Sequence, residues 1–176
     1  KPPWAGSSQG PLAAPGNYSV ELFIVSNDGF QSQGSPKSFK VKPVPIAGSD
    51  TDFDVVAEFQ EMTSELGREI SNANMKMSES RKRLTHINAA LKKTPKASPE
   101  LFETMNQLNK QLTILQTRLT GDRIRGRKDE STTPSISSRE GAVAYGHWDT
   151  RQAPTETQKQ NIEIAKQDFV AFRKDL

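Results

Sequence analysis

The chain of 176 residues has no cysteine, which excludes a disulfide framework and any thiolate metal site. Zero cysteine suits a reducing cytoplasm and equally a secreted bacterial protein that avoids thiols, so the count does not choose a compartment. Aromatic residues make up only 7% of the sequence and the apolar set only 33%. Globular domains usually hold about 45–50% apolar residues with glycine counted, so one large core is excluded. No apolar run approaches the roughly 18 residues of a membrane span. No initiator Met, charged n-region or apolar h-region opens the chain, so it shows no signal peptide and reads as a piece of a longer polypeptide. The net charge of +3 and pI of about 9.2 are too mild to call for nucleic acid.

What is there divides near residue 50. Residues 1–49 hold Pro2, Pro3, Pro11, Pro15, Pro36, Pro43 and Pro45 with many Gly and Ser. Tyr18, Val20, Leu22 and Ile24 alternate with Ser19, Glu21 and Phe23, the period-2 pattern of a strand. Pro15-Gly16-Asn17 is a turn signal before it. Ser26-Asn27-Asp28-Gly29 is a hairpin signal after it, with Gly29 free to take a positive φ. Phe39 and Val41, between Lys40 and Lys42, form the partner strand, which Pro43 and Pro45 end because Pro cannot donate to a ladder. Two or three strands do not make a stable sheet alone. They need strands from elsewhere, or the helices that follow.

Residues 50–176 read as a helical bundle. A first helix over about 52–93 carries Phe59, Leu66, Ile70, Ala73, Met77, Ser80, Leu84, Ile87 and Leu91. From Leu66 onward the steps alternate 4 and 3, a heptad seam. Thr94-Pro95-Lys96-Ala97 is a turn, Ser98 an N-cap and Pro99 a first helical residue. The second helix, 98–120, repeats the rhythm with Leu101, Met105, Leu108, Leu112, Leu115 and Leu119. Two such helices and a short turn give an antiparallel hairpin, in which the second covers roughly Ile70 to Leu91 of the first. Thr133-Pro134 opens a short helix over 134–145, closed by Gly146. Thr155 and Gln158 fit a capping box at the head of a third long helix, 155–176, with Ile162, Ala165, Phe169, Phe172 and Leu176 in the same register. The fold class is therefore α+β and mainly α: a helical hairpin or three-helix bundle preceded by a small antiparallel β segment.

Several segments read together. Trp4-Ala5-Gly6, Gly10-Pro11 and Pro15 to Leu22 look like closing strands of an Ig-like domain. Gly121-Asp122-Arg123, Pro134-Ser135-Ile136, Tyr145-Gly146-His147-Trp148 and Ala153 to Gln158 follow in order. The whole resembles the C-terminal end of sortilin-like, BNR-repeat glycosyl hydrolase-like proteins of Bacteroidota. The resemblance implies that β-propellers precede an Ig-like β-domain and a helical tail, in a protein exported from the cytoplasm. The propeller Asp-box, Ser-x-Asp-x-Gly-x-x-Trp, is absent, and Ser26-Asn27-Asp28-Gly29 has the wrong spacing. No catalytic residue carries over from the family.

The residues themselves offer few sites. Asp50, Asp52, Asp54 and Glu61 partly mimic a calcium loop, but Val55 stands where the sharp turn needs glycine. Acidic capping of a helix N-terminus explains them better. His147 and Asp149 flank Trp148 in a loop; two ligands do not make a metal site. His86 lies beside the seam of the first helix. Glu61 and Glu65 are an i,i+4 pair on a solvated face. Arg81-Lys82-Arg83, Lys92-Lys93 and Arg123 through Lys128 are basic but hold no aromatics for stacking bases. No nucleic acid and no cofactor is expected. The face of Phe53, Val56, Phe59 and Met62 is the candidate interaction face: the second helix is too short to reach it. The third helix or the β segment covers it, or a partner or second copy does so in a homodimer, and internal cover is favoured. The expected role is a non-enzymatic structural or interaction module whose partner is the rest of its parent chain or another protein. Two rival readings are an accessory domain of a glycan hydrolase, and a free-standing coiled-coil adaptor that dimerises.

Overall fold

The computed structural model describes residues 13–27, 29–43, 51–147 and 150–176. Trp4, Gly6, Gly10, Pro11, Asp28, Asp50, Trp148 and Asp149, all named above, lie outside the described residues. The order is β1 (Gly16–Val20), β2 (Phe23–Ser26), β3 (Gly29–Ser32), β4 (Lys37–Val41), α1 (Phe53–Lys92), α2 (Pro99–Thr120), α3 (Arg123–Gly126), α4 (Ile136–His147) and α5 (Glu156–Asp175). The chain is thus mainly helical, with a small antiparallel β segment before five helices.

The β segment is one ribbon folded back on itself. β1 pairs with β4, Tyr18 opposite Phe39 and Val20 opposite Lys37. Further out β2 pairs with β3, Val25 opposite Phe30 and Ser26 opposite Gly29. The single strand expected from Tyr18 to Ile24 is broken at Glu21–Leu22. Gln33-Gly34-Ser35-Pro36 on the return side is longer than the residues it faces, and Pro36 has no N–H to give the ladder. The Leu22 carbonyl accepts from the Gln33 N–H at 2.8 Å, and Ser32 Oγ donates to Glu21 at 2.6 Å, so the two halves stay joined. Tyr18 stacks on Phe39 with ring centroids 5.8 Å apart.

The helices begin where their caps place them. Asp52 Oδ1 accepts the Asp54 and Val55 N–H groups at the head of α1. Ser98 Oγ accepts from the Glu100 N–H, with Pro99 next to it. Thr155 and Gln158 form the reciprocal capping box of α5. α4 starts two residues later than expected: its cap is Ser135, whose Oγ accepts the Ser138 N–H. It also continues through Gly146 to His147. The four-residue α3, capped by Asp122, was not expected; two N–H groups hold the Asp122 carboxyl below its ordinary value.

One core joins α1, α2, α4 and α5: Phe59, Leu66, Ile70, Ala73 and Met77 meet Leu112, Leu115 and Leu119, Ile136 and Val143, and Ile162, Ala165, Phe169 and Phe172. α5 runs in the same direction as α1, with Ile162 beside Phe59 and Arg173 beside Glu69. The hairpin seam is shorter than its heptads. Buried residues on α1 end at Met77; Leu84 and Leu91 are half-buried, and Ser80 and Ile87 are exposed. The expectation that α2 buries the seam to Leu91 is thus corrected. Two helices enclose a seam from one side only, and α4 and α5 do not extend that far.

Candidate functional site

The face of Phe53, Val56, Phe59 and Met62 lies against the chain's own residues. Val56 and Phe59 are buried, and Phe53 and Met62 half-buried. Phe53 and Val56 look toward Pro15, Val41 and Pro43 at the base of the ribbon. Phe59 and Met62 look toward Ile162 and Pro154. The face is therefore largely covered from within the chain. Its spacing continues the α1 stripe, so it enters the same interior. What stays open is a shallow apolar groove bordered by Val55, Met62 and Ile164, with Glu58, Lys159 and Glu163 at its rim.

Behind this face lies a polar node that the sequence did not announce. His147 is the last residue of α4, not part of a loop, and it is buried. Its ring meets Phe59 edge-on, with centroids 5.0 Å apart. Nε2 lies 3.0 Å from the Gln152 carbonyl, which fixes the tautomer with hydrogen on Nε2. Nδ1 is buried without a hydrogen-bond partner among the described residues, as is Nε of Arg139. Gln60, buried on α1, donates Nε2 to the His147 carbonyl at 2.9 Å and to the Thr150 carbonyl at 3.3 Å. A buried glutamine among apolar neighbours is the signal that could have found this node: beside the Thr150 N–H, which also bonds to the His147 carbonyl, it supplies a donor to carbonyls at the end of α4. The node ties α1 to the α4–α5 connection, with His147 and Gln60 buried.

The remaining candidates are scattered. Asp52 is spent on capping α1, and Glu61 and Glu65 are exposed on α1. Among the described residues no group of three or more His, Cys, Asp or Glu side chains is placed to hold a metal ion. His86 is exposed on α1, far along the chain from His147. Arg125 pairs with Asp122 and Glu130, so the basic run after α2 is partly neutralised locally. Arg81, Lys82, Arg83, Lys92 and Lys93 stay exposed toward the end of α1. Glu140 on α4 is half-buried over α1, and burial pushes its carboxyl above the ordinary value. No helix among the described residues is long and apolar enough to cross a membrane.

The ribbon is the most exposed apolar element. Phe23, Val25 and Phe30 share one face of β2–β3, and Phe30 is 78% exposed and Leu22 70%. No protein-family model, curated protein or solved structure matches the chain.

Proposed function

We propose that this chain is a non-enzymatic structural and interaction module at the C-terminal end of a larger exported protein. The bundle folds on its own core, and the ribbon is the end of an Ig-like β-sandwich whose other strands come from the parent chain. The observation that carries this reading is the ribbon's exposure. Val20, Leu22, Phe23, Ile24, Val25, Phe30 and Phe39 all lie open to solvent. A two-stranded ribbon is marginal by itself, and large contiguous apolar patches on soluble proteins mark a missing partner surface. In a sandwich the face of Phe23, Val25 and Phe30 would meet a second sheet about 10 Å away. Among the described residues of the bundle, no nucleophile is assembled with a base and no pair of carboxylates faces across a cleft. The family resemblance supplies the propeller context and the export from the cytoplasm.

The test is the parent reading frame upstream of Lys1, expressed with and without its β region. Asp-box repeats and further strands there, with ribbon amides that become protected from exchange only in the longer chain, support the reading. An initiator Met directly before Lys1, or turnover of aryl glycosides by the 176-residue chain that a single carboxylate substitution abolishes, overturns it.

A further inference from the structure

The ribbon has two long edges, and they are built differently. The Gln33 N–H donates to the Leu22 carbonyl at 2.8 Å, so Leu22 and Gln33 are a hydrogen-bonded pair of the ladder. Such pairs alternate with open ones in an antiparallel ribbon. With Phe23 opposite Ser32 and Val25 opposite Phe30, Ile24 and Gln31 therefore turn their N–H and C=O groups into the ladder. Phe23 and Val25 turn theirs outward along one edge, and Phe30 and Ser32 along the other. Every residue of β2 and β3 is exposed, so the bundle covers neither edge there.

Sheet edges that stay free are guarded by lysine, proline and irregular backbone. All three lie on the β3–β4 side. Gln33-Gly34-Ser35-Pro36 interrupts the strand, with Gly34 at a φ of 137°, and Pro36 brings no N–H. Lys37, Lys40 and Lys42 follow, all exposed. The β1–β2 side, Gly16 to Ser26, holds no lysine, arginine or proline and a single charged residue, Glu21. The Glu21 carboxylate accepts from Ser32 Oγ, which ties it back onto the ribbon. Val20 and Val25 on this side are 59% and 69% exposed.

We infer that a strand of the parent chain pairs along the β1–β2 edge and extends the ribbon into a sheet, while the β3–β4 edge is the outer rim. The proposal rests on the reading of the ribbon as the end of a β-sandwich, and it adds the edge at which that sandwich continues. The occupant is an extended segment whose N–H and C=O groups meet those of Phe23 and Val25, as in strand addition. Its residues beside Phe23 and Val25 are apolar, because neighbouring side chains on one face of a sheet pack as pairs. A second copy joined at this edge would double the open face of Phe23, Val25 and Phe30 instead of covering it. Strands of one β-domain supply both an edge neighbour and a facing sheet.

The experiment follows single amide protons by NMR hydrogen exchange in two chains, the 176 residues and the parent chain with its preceding β region. In the shorter chain the outward amides of Phe23, Val25, Phe30 and Ser32 should all exchange freely. In the longer chain those of Phe23 and Val25 should slow at least about tenfold, and those of Phe30 and Ser32 should not. Val25→Pro deletes an outward N–H and spares the ladder to β3. It should leave helical unfolding of the shorter chain unchanged and lower the melting temperature of the longer one by more than Val25→Ala does. A loss no larger than that of Val25→Ala overturns the proposal. Slowing at Phe30 and Ser32, alone or with the other two, also overturns it and leaves the sandwich reading standing. No slowing at any of the four overturns both. Slowing at Phe23 and Val25 already in the shorter chain, in step with a dimer in sedimentation, would assign the edge to a second copy instead.

Discussion

Gly67 of α1 sits beneath the carboxylate of Glu140 on α4: a Cβ added to Gly67 would lie 2.7 Å from Glu140 Oε1. Only the flexible end of that glutamate is in the way. Glycine inside a helix costs about 0.5–1 kcal/mol relative to alanine. Gly67→Ala should therefore raise stability by about that amount, with the Glu140 carboxyl swinging toward water. Thermal unfolding checks it. A lower melting temperature would mean that the α1–α4 crossing itself, and not the carboxylate alone, needs the missing side chain.

Glu140 makes a second prediction through its proton. Burial raises its carboxyl above the ordinary 4.5, so the folded chain holds the proton more tightly than the unfolded one. Stability from this group is then full below the ordinary value and is lost as pH rises toward the raised one. Glu140→Gln should be more stable than the parent at pH 7 and indistinguishable from it below about pH 4. Asp122 has the opposite sign. The Arg125 and Ile124 N–H groups hold its carboxyl below 3.8, so its contribution is present at neutral pH and fades in acid. Urea unfolding of Glu140→Gln and Asp122→Ala at both pH values separates the two.

Helix ends and seams were legible because they are local. Asp52, Ser98 and Thr155 have the side chains that accept N–H groups at a helix head, and the heptad leucines of α2 and the stripe of Ile162, Ala165, Phe169 and Phe172 in α5 name their buried sides. Two things were not legible. The extent of the seam depends on where α4 and α5 stop, which the α1 pattern does not encode, so Leu84 and Leu108 looked as buried as Met77 and Leu112. The node at Gln60 and His147 joins residues 87 positions apart, and no spacing rule reaches that far. The ribbon showed its strand pattern but not its break, because Gly34 and Pro36 act on the opposite strand.

The seam itself is tested by two leucines of one helix. Leu112 is buried among Met77, Leu115 and their neighbours, so Leu112→Ala should cost about 2–5 kcal/mol. Leu108 lies four residues earlier in the uncovered stretch, and Leu108→Ala should cost under about 1.5 kcal/mol. Denaturant unfolding of both variants gives the comparison. Equal losses would mean that the hairpin is covered beyond Met77 after all.

The ribbon should be separable from the bundle. Phe30 is exposed and pairs across the ribbon only with Val25. Phe30→Ser should leave the helical unfolding transition within about 0.5 kcal/mol of the parent. It should also reduce dye binding and aggregation at high concentration, because it shrinks an exposed apolar patch. A large loss of helical stability would place the ribbon in the cooperative unit.

Gln60 is a sharper probe, because its amide nitrogen faces two carbonyl oxygens, those of His147 and Thr150. That arrangement requires a donor at this position. Gln60→Leu keeps most of the volume and takes a donor from both carbonyls, leaving that of His147 only the Thr150 N–H, at a cost of about 1–3 kcal/mol. Gln60→Glu has nearly the shape of glutamine but sets a carboxylate against the same two oxygens at neutral pH. Its folded-state proton affinity must rise, since only the protonated acid can donate. The damage should then be greatest at pH 7 and shrink as pH falls through the carboxylate range, while that of Gln60→Leu stays constant. Parallel urea titrations of both variants at pH 7 and about pH 4 decide the matter. A pH-independent loss in Gln60→Glu would show that the side chain reaches water and that the node is not closed.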